Sequence, residues 1–103
     1  MSQVLQHVVM FQFTDATTDA DVEKISSAFA NLENEIDEVI AFEGGADVSI
    51  EGLQNGFTHC FCVTLTGEEG REAYLPHPAH KAFGELVTPH VEKVIVLDYW
   101  ANA

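Results

Sequence analysis

The segment of residues 4–13 constrains the fold more than any other part of the sequence. Its odd-numbered positions carry four large apolar side chains and one histidine: Leu5, His7, Val9, Phe11 and Phe13. The even-numbered positions are also apolar at Val4, Val8 and Met10. Because successive side chains of a strand point to opposite faces, this pattern predicts a central β-strand that is covered on both sides.

The rest of the sequence predicts two helical regions and three further strands. Thr18 begins a helix in which Asp21 completes a capping-box arrangement, and an apolar stripe then runs as far as Ile36. Strands are expected over residues 39–43, 57–65 and 93–100, and helices over residues 68–74 and 78–87, with Gly44 and Gly45 ending the second strand. The order β-α-β-β-α-β predicts an α+β fold of the ferredoxin-like type, with a four-stranded antiparallel sheet.

One face of this sheet lacks a cover in the predicted fold. In the ferredoxin-like plan the first and third strands are central neighbours, and the helices pack on one face only. Val4, Val8 and Met10 point to the other face, and a chain of 103 residues, taken as one domain over residues 1–103, has no further element to cover them. The sequence therefore predicts a homodimer that packs sheet on sheet.

The charge balance excludes several classes of partner. The chain has 17 Asp and Glu against 4 Lys and Arg, for a net charge of −13. Four scattered basic residues cannot form a stripe along a phosphate backbone, so we expect no binding to nucleic acid or to an anionic membrane surface. No apolar run is long enough for a membrane helix, and the first residues do not resemble a signal peptide, so a cytoplasmic location is expected.

The short motifs indicate neither a cofactor nor a metal ion. Cys60 and Cys62 are two residues apart in a predicted strand, too far for a disulfide, and are expected to be reduced. The sequence contains no phosphate-binding loop, no dinucleotide fingerprint and no His and Cys spacing typical of metal sites.

The histidines are the candidate functional residues. His7 and His59 share a face with large apolar residues on two strands that should be neighbours. A buried imidazole needs a hydrogen-bond partner, so each is either a core residue bonded to its surroundings or part of a cavity lining with Tyr74, His77 and His80. We expect these five side chains to converge on one cavity between the sheet and the broken helix, with His77 at its edge.

His80 is the strongest candidate for a base. Pro78 suits the first position of a helix, which places His80 in the first turn, where the helix dipole favours a neutral imidazole. Tyr74 either donates a hydrogen bond to the same ligand oxygen or is half buried with its hydroxyl in water. His77 precedes a proline and is expected at the helix cap. Asp98 is interpreted as a structural hydrogen-bond anchor rather than a partner of a histidine.

Four segments resemble a known family when taken together. They are His7 to Phe13, Gly56 to His59, the stretch Tyr74-Leu75-Pro76-His77-Pro78-Ala79-His80 with Lys81 to Phe83, and Leu97-Asp98-Tyr99. The chain resembles the stress-responsive A/B barrel domain (Dabb) family over nearly its whole length. The resemblance implies a dimeric α+β barrel, which agrees with the fold predicted above.

The resemblance also implies site residues and two alternative functions. By similarity to a plant polyketide cyclase of the family, which closes a ring by an aldol reaction without a cofactor, His80 would be the base and Tyr74 would hold the carbonyl. His7, His59 and His77 would line the pocket, where Phe29 replaces a tyrosine. Some plant relatives bind magnesium through backbone carbonyls, here near residues 33–39. A ligand-binding or stress-assembly dimer without turnover is the alternative to an enzyme.

Overall fold

The computed structural model describes residues 3–103. In chain order the elements are β1 (Gln3–Phe13), α1 (Asp19–Glu35), β2 (Val39–Ala46), β3 (His59–Leu65), α2 (Glu68–Tyr74), α3 (Pro78–Val87) and β4 (Val91–Asn102). A short 3₁₀ turn, Thr88–His90, joins α3 to β4. This is the predicted β-α-β-β-α-β order with a broken second helix, so the α+β, ferredoxin-like fold class is confirmed.

The four strands form one antiparallel sheet in the order β2-β3-β1-β4. β1 is therefore flanked by β3 and β4, as the ferredoxin-like plan requires. His7 lies opposite Val63 of β3 on one side and opposite Asp98 of β4 on the other. This register places an imidazole and a carboxylate on neighbouring strands of the same face, which is the basis of the site described below.

The core lies between this face of the sheet and the helices, and we call it the helix side. The capping box predicted for α1 is present, since the Thr18 hydroxyl accepts from the Asp21 amide at 3.1 Å and the Asp21 carboxylate accepts from the Thr18 amide at 3.0 Å. The stripe of α1 then buries Ile25, Phe29 and Leu32. Side chains from the strands complete the core: Leu5, Val9, Phe11, Val39, Phe61, Val63 and Leu65.

Three strands, β2, β3 and β4, have boundaries that differ from the prediction by two or more residues. β2 continues through Gly44 and Gly45 to Ala46, whereas the two glycines were expected to end it. A Cβ at Gly44 would lie 2.5 Å from the carbonyl oxygen of Cys60, so the glycine permits a close approach of β2 to β3 instead of a turn. β3 begins at His59 instead of residue 57, and β4 extends beyond the predicted strand at both ends.

The other face of the sheet, which we call the outer face, carries a band of apolar side chains. Val8 and Met10 of β1 are partly exposed there, next to Leu97 and Ile95 of β4, which lie opposite them and are exposed. No helix of residues 3–103 covers this face. Within the same residues, no helix combines the length and the apolar character needed to cross a membrane.

Candidate functional site

A cavity of about 450 Å³ opens between the helix side of the sheet and the segment that joins α2 to α3. Most of its wall is apolar and aromatic, formed by Val9, Phe11, Phe29, Phe83, Val87, Val94 and Val96. Four polar side chains meet at one end of it: His7, Tyr74, His80 and Asp98. A largely apolar cavity with a few converging polar groups is the usual form of a small-molecule site.

Tyr74 stands at the centre of the polar end. It is the last residue of α2 and is fully buried, which raises the pKa of its phenol far above the ordinary value. Its ring lies 4.5 Å from the ring of His80 and 5.6 Å from the ring of His7, measured between ring centres. Within residues 3–103 the Tyr74 hydroxyl has no hydrogen-bond partner. The phenol therefore stays protonated, and its hydroxyl is a donor without a partner among these residues.

His7 is held by a carboxylate. Its Nδ1 lies 2.7 Å from Oδ1 of Asp98, and Oδ2 of the same carboxylate accepts from the Arg71 guanidinium at 2.9 Å. Although burial raises the pKa of Asp98, the hydrogen bonds from Arg71 and His7 hold it below the ordinary value, so the group is ionised. An ionised carboxylate is an acceptor only, so Nδ1 of His7 donates to it, and Nε2 is the ring nitrogen that this pair leaves unused.

His80 also packs against Tyr74, and like His7 it donates a hydrogen bond through Nδ1. It lies in the first turn of α3, and its Nδ1 donates to the carbonyl oxygen of Leu75 at 2.9 Å. Burial lowers the pKa of His80, and this outweighs the hydrogen bond to Leu75, which raises it. The neutral ring therefore presents an unprotonated Nε2, as a general base requires near neutral pH.

The family follows from comparison with known proteins. The family model for the "Stress responsive A/B Barrel Domain", Dabb, matches residues 5–101. The chain belongs to the Dabb family. The Arabidopsis thaliana stress-response A/B barrel domain-containing protein HS1 is 38% identical over 95 residues, which cover 92% of this chain and 87% of that protein. Olivetolic acid cyclase from Cannabis sativa is 32% identical over 95 residues, covering 92% of this chain and 94% of the cyclase.

Solved structures share the Dabb fold. The crystal structure of Arabidopsis thaliana At3g17210 has a TM-score of 0.90 at 36% identity and covers 96% of both chains. A protein from Thermobifida fusca, described as dimeric, ferredoxin-like and of unknown function, has a TM-score of 0.82 at 24% identity, with 96% of this chain and 92% of that chain covered. At that identity the second comparison supports the fold alone.

Two of the predicted histidines do not line the cavity of this Dabb domain. His59 lies opposite Phe11, and its Nδ1 is 2.9 Å from the hydroxyl of Thr58. It is four residues along β3 from Val63, the partner of His7, which is about 13 Å in an extended strand. The expected convergence of His59 with His80 and Tyr74 is therefore wrong, because alternation gives the face of a residue but not its position along the strand.

His77 is the cap of α3, as its position before Pro78 indicated. Its Nδ1 accepts from the amide of Ala79 at 3.0 Å, and the residue is not part of the cavity wall. A side chain engaged in this way stabilises the start of the helix that carries His80. We therefore assign His77 to the support of the site and not to contact with a ligand.

Phe29 lines the cavity from α1, as expected for a pocket residue. Its ring packs 4.4 Å from that of Phe83 and 5.1 Å from those of Phe42 and Phe61, between ring centres. This side chain supplies apolar surface where the resemblance to the cyclase would place a hydroxyl. The polar contacts available to a ligand are thus concentrated at the opposite end, around Tyr74.

Two residues of the site, Arg71 and Asp98, have roles that the sequence does not predict. Asp98 is the partner of His7 and not merely a structural anchor, and Arg71 holds its second oxygen. The spacing of Arg71 and Tyr74, three residues apart on α2, places both on one side of that helix. That spacing is the one sequence signal for Arg71. The pairing itself depends on the register of β1 and β4, which the sequence does not specify.

The resemblance placed backbone donors for magnesium near residues 33–39, between α1 and β2. The carbonyl oxygen of Ile36 already accepts from the amide of Val39 at 3.1 Å. Within residues 3–103 no group of three or more His, Cys, Asp and Glu side chains could hold a metal ion. No step proposed below passes through a bound ion.

The buried hydroxyl of Tyr74 leads to a prediction about the stability of the domain. We expect Tyr74→Phe to raise the free energy of unfolding by about 1–3 kcal/mol, because it removes a desolvated polar group that has no partner and keeps the ring. Urea denaturation measures the change. A loss of stability in Tyr74→Phe would mean that the hydroxyl has a partner in the folded protein.

Proposed function

We propose that this Dabb domain is a homodimer that binds a small, uncharged, apolar carbonyl compound and transfers a proton on it without a cofactor. The observation that carries the proposal is the Tyr74 hydroxyl, which is buried between His7 and His80 and has no partner within residues 3–103. A buried polar group of this kind calls for a partner, and a ligand oxygen would provide one. The sequence similarity to olivetolic acid cyclase supports the same class of chemistry.

The proposed reaction begins with removal of a proton from the carbon next to the carbonyl group. Nε2 of His80 accepts that proton, and the electron pair of the C–H bond becomes the enolate double bond while the carbonyl oxygen takes the negative charge. Tyr74 stabilises this oxygen by donating its hydroxyl hydrogen. The enolate then either recovers a proton from His80 or adds to a second carbonyl group, as in an aldol closure, and the alkoxide formed in that addition takes the proton from His80. Neither route changes an oxidation state, so no redox cofactor is required.

The charges of the residues that line the cavity favour an uncharged ligand. Burial lowers the pKa of His80 and so favours its neutral ring, while Asp98, another lining residue, is an ionised carboxylate. Arg71, the nearby cation, is already bonded to Asp98. A carboxylate that entered this apolar cavity would lose its hydration without gaining a cationic partner, which is strongly unfavourable.

Deuterium exchange into phenylacetone tests this function. The compound has an apolar ring, one carbonyl group and acidic hydrogens beside it, and in deuterium oxide its exchange is followed by proton NMR. We expect the protein to accelerate exchange above the buffer rate and to bind phenylacetone more tightly than phenylacetate, which has a similar shape and a negative charge. Equal or tighter binding of phenylacetate would contradict the proposed ligand class, and absence of accelerated exchange would contradict the proposed reaction.

A binding or stress-assembly module without turnover is the second candidate. Phe29 favours it, because an apolar ring stands where the cyclase resemblance would place a tyrosine hydroxyl. The same experiment separates the two functions. Saturable binding of phenylacetone without accelerated exchange would support the module, and exchange would support the enzyme.

The proposed homodimer rests on the outer face of the sheet. Val8 and Met10 on β1 and Ile95 and Leu97 on β4 form a contiguous apolar surface, which soluble monomers rarely expose. The Thermobifida fusca neighbour, which shares this fold, is described as dimeric. In a symmetric pair the same surface of each copy would cover that of the other.

A further inference from the structure

β4 is apolar on both faces and lies at an edge of the sheet. Its helix-side residues Val94 and Val96 line the cavity, yet each is about half exposed, and Trp100 on the same side is 47% exposed. The cavity is therefore open along β4. A long apolar strand with an uncovered face and a free edge promotes aggregation, and proteins normally cover such a surface.

A sheet-on-sheet dimer alone would not cover the helix side of β4. Such a dimer buries the outer face, where Ile95, Leu97 and Tyr99 point, and strand alternation sends Val94, Val96 and Trp100 the opposite way. The helix-side residues of β4 would remain exposed beside the cavity in each copy. Their cover must come from a different part of the second copy.

The loop that joins β2 to β3, residues 47–58, carries the other exposed apolar side chains that lie close together. Val48 is 88% exposed and Ile50 is 96% exposed, so their own chain gives them almost no cover. The loop lies on the outer-face side, because Leu53 and Asn55 line a shallow hollow together with Met10 and Ile95. Lys93 fixes its base by donating to the carbonyl oxygen of Asn55 at 2.9 Å. The tip is thus presented on the side from which a second copy approaches.

We propose that this loop of a second copy lies against β4 and closes the open side of the cavity. Val48 and Ile50 would pack on Val94, Val96 and Trp100, and the twofold symmetry would close both cavities in the same way. Each partner thereby contributes a wall to the other's site, which is incomplete in one chain. The inference rests on the proposed homodimer and extends it from the outer face to the ligand cavity.

The proposed contact can be measured by the fluorescence of Trp100, because it is the single tryptophan of the chain. In the wild-type dimer we expect its fluorescence emission to be blue-shifted and poorly quenched by acrylamide. Ile50→Asp should shift the emission to the red, increase quenching and weaken phenylacetone binding, since a carboxylate will not pack on the valines of β4. Ser49→Asp is the matched control, as it adds the same charge at the adjacent loop position. Ile50 is almost fully exposed in the chain, so its replacement leaves folding unaffected.

Sedimentation velocity on the same samples separates the two possible failures. A dimer in which Ile50→Asp leaves Trp100 emission and quenching as in the wild type would overturn the loop contact and leave the outer-face dimer intact. A wild-type protein that sediments as a monomer would overturn both proposals. A crosslink between partners through Ile50→Cys and Val96→Cys, made with Cys60 and Cys62 replaced by serine, is expected to form under oxidation.

Discussion

Replacing His80 by alanine is expected to slow deuterium exchange into phenylacetone by about 10²–10⁴-fold and to leave the domain folded. His80 supplies the proposed base, and its Nδ1 is already engaged by the carbonyl oxygen of Leu75, so only Nε2 is available to accept a proton. The side chain lines the cavity, is partly buried and is not part of the hydrophobic core. Proton NMR measures the exchange rate, and circular dichroism checks the fold.

His90→Ala is the control for loss of an imidazole elsewhere. His90 lies in the turn after α3, where its Nδ1 is 3.0 Å from the hydroxyl of Thr17, and it is not part of the cavity wall. We expect this variant to exchange at the wild-type rate. An unchanged rate in His80→Ala, with the fold retained, would exclude His80 as the base and indicate that another group accepts the proton.

The pH dependence of exchange provides an independent test of the same residue. Burial lowers the pKa of His80 from its ordinary value of 6.5, and the base must be neutral to accept a proton. The neutral fraction therefore stays high at pH values where an ordinary histidine is half protonated. We expect the rate to decline at acid pH with a midpoint below 6.5. A midpoint above 6.5 would indicate a different base or an environment that favours the imidazolium.

The sequence predicted the fold better than it predicted the site, and the difference has a physical cause. Alternation in β1 and the capping box at Thr18 are local patterns, and the element order that they indicate leaves few topologies. The site depends on register. Alternation placed His7 and His59 on the same face correctly, but the distance between them follows from which residues pair across the strands.

Gly44 and Arg71 illustrate two further limits of the sequence. A glycine pair reads as the end of a strand, yet Gly44 lies within β2 because the backbone of β3 passes too close for a side chain. Arg71 reads as an ordinary surface cation on a short helix, yet it fixes the carboxylate that orients His7. The role of each residue is set by a contact with a residue that is distant in the sequence. A local sequence pattern cannot predict such a contact.

The second large effect is expected for Val8→Asp, which should convert the proposed dimer to a folded monomer. Val8 lies on the central strand of the outer face, between Cys62 of β3 and Leu97 of β4. A carboxylate left without a partner in an interface costs about 3–5 kcal/mol, and a symmetric interface would contain two of them. The dissociation constant should therefore rise by more than about 10³-fold.

Sedimentation velocity at micromolar concentration measures this change, and circular dichroism separates dissociation from unfolding. Ser27→Asp is the matched control, because it adds the same charge on an exposed position of α1, away from the outer face. We expect this variant to remain dimeric, which would show that the added charge acts through its position and not through the net charge of the chain. If Val8→Asp dimerises as tightly as the wild type, the outer face is not the interface, and the cover of the β4 cavity by a partner loop fails with it.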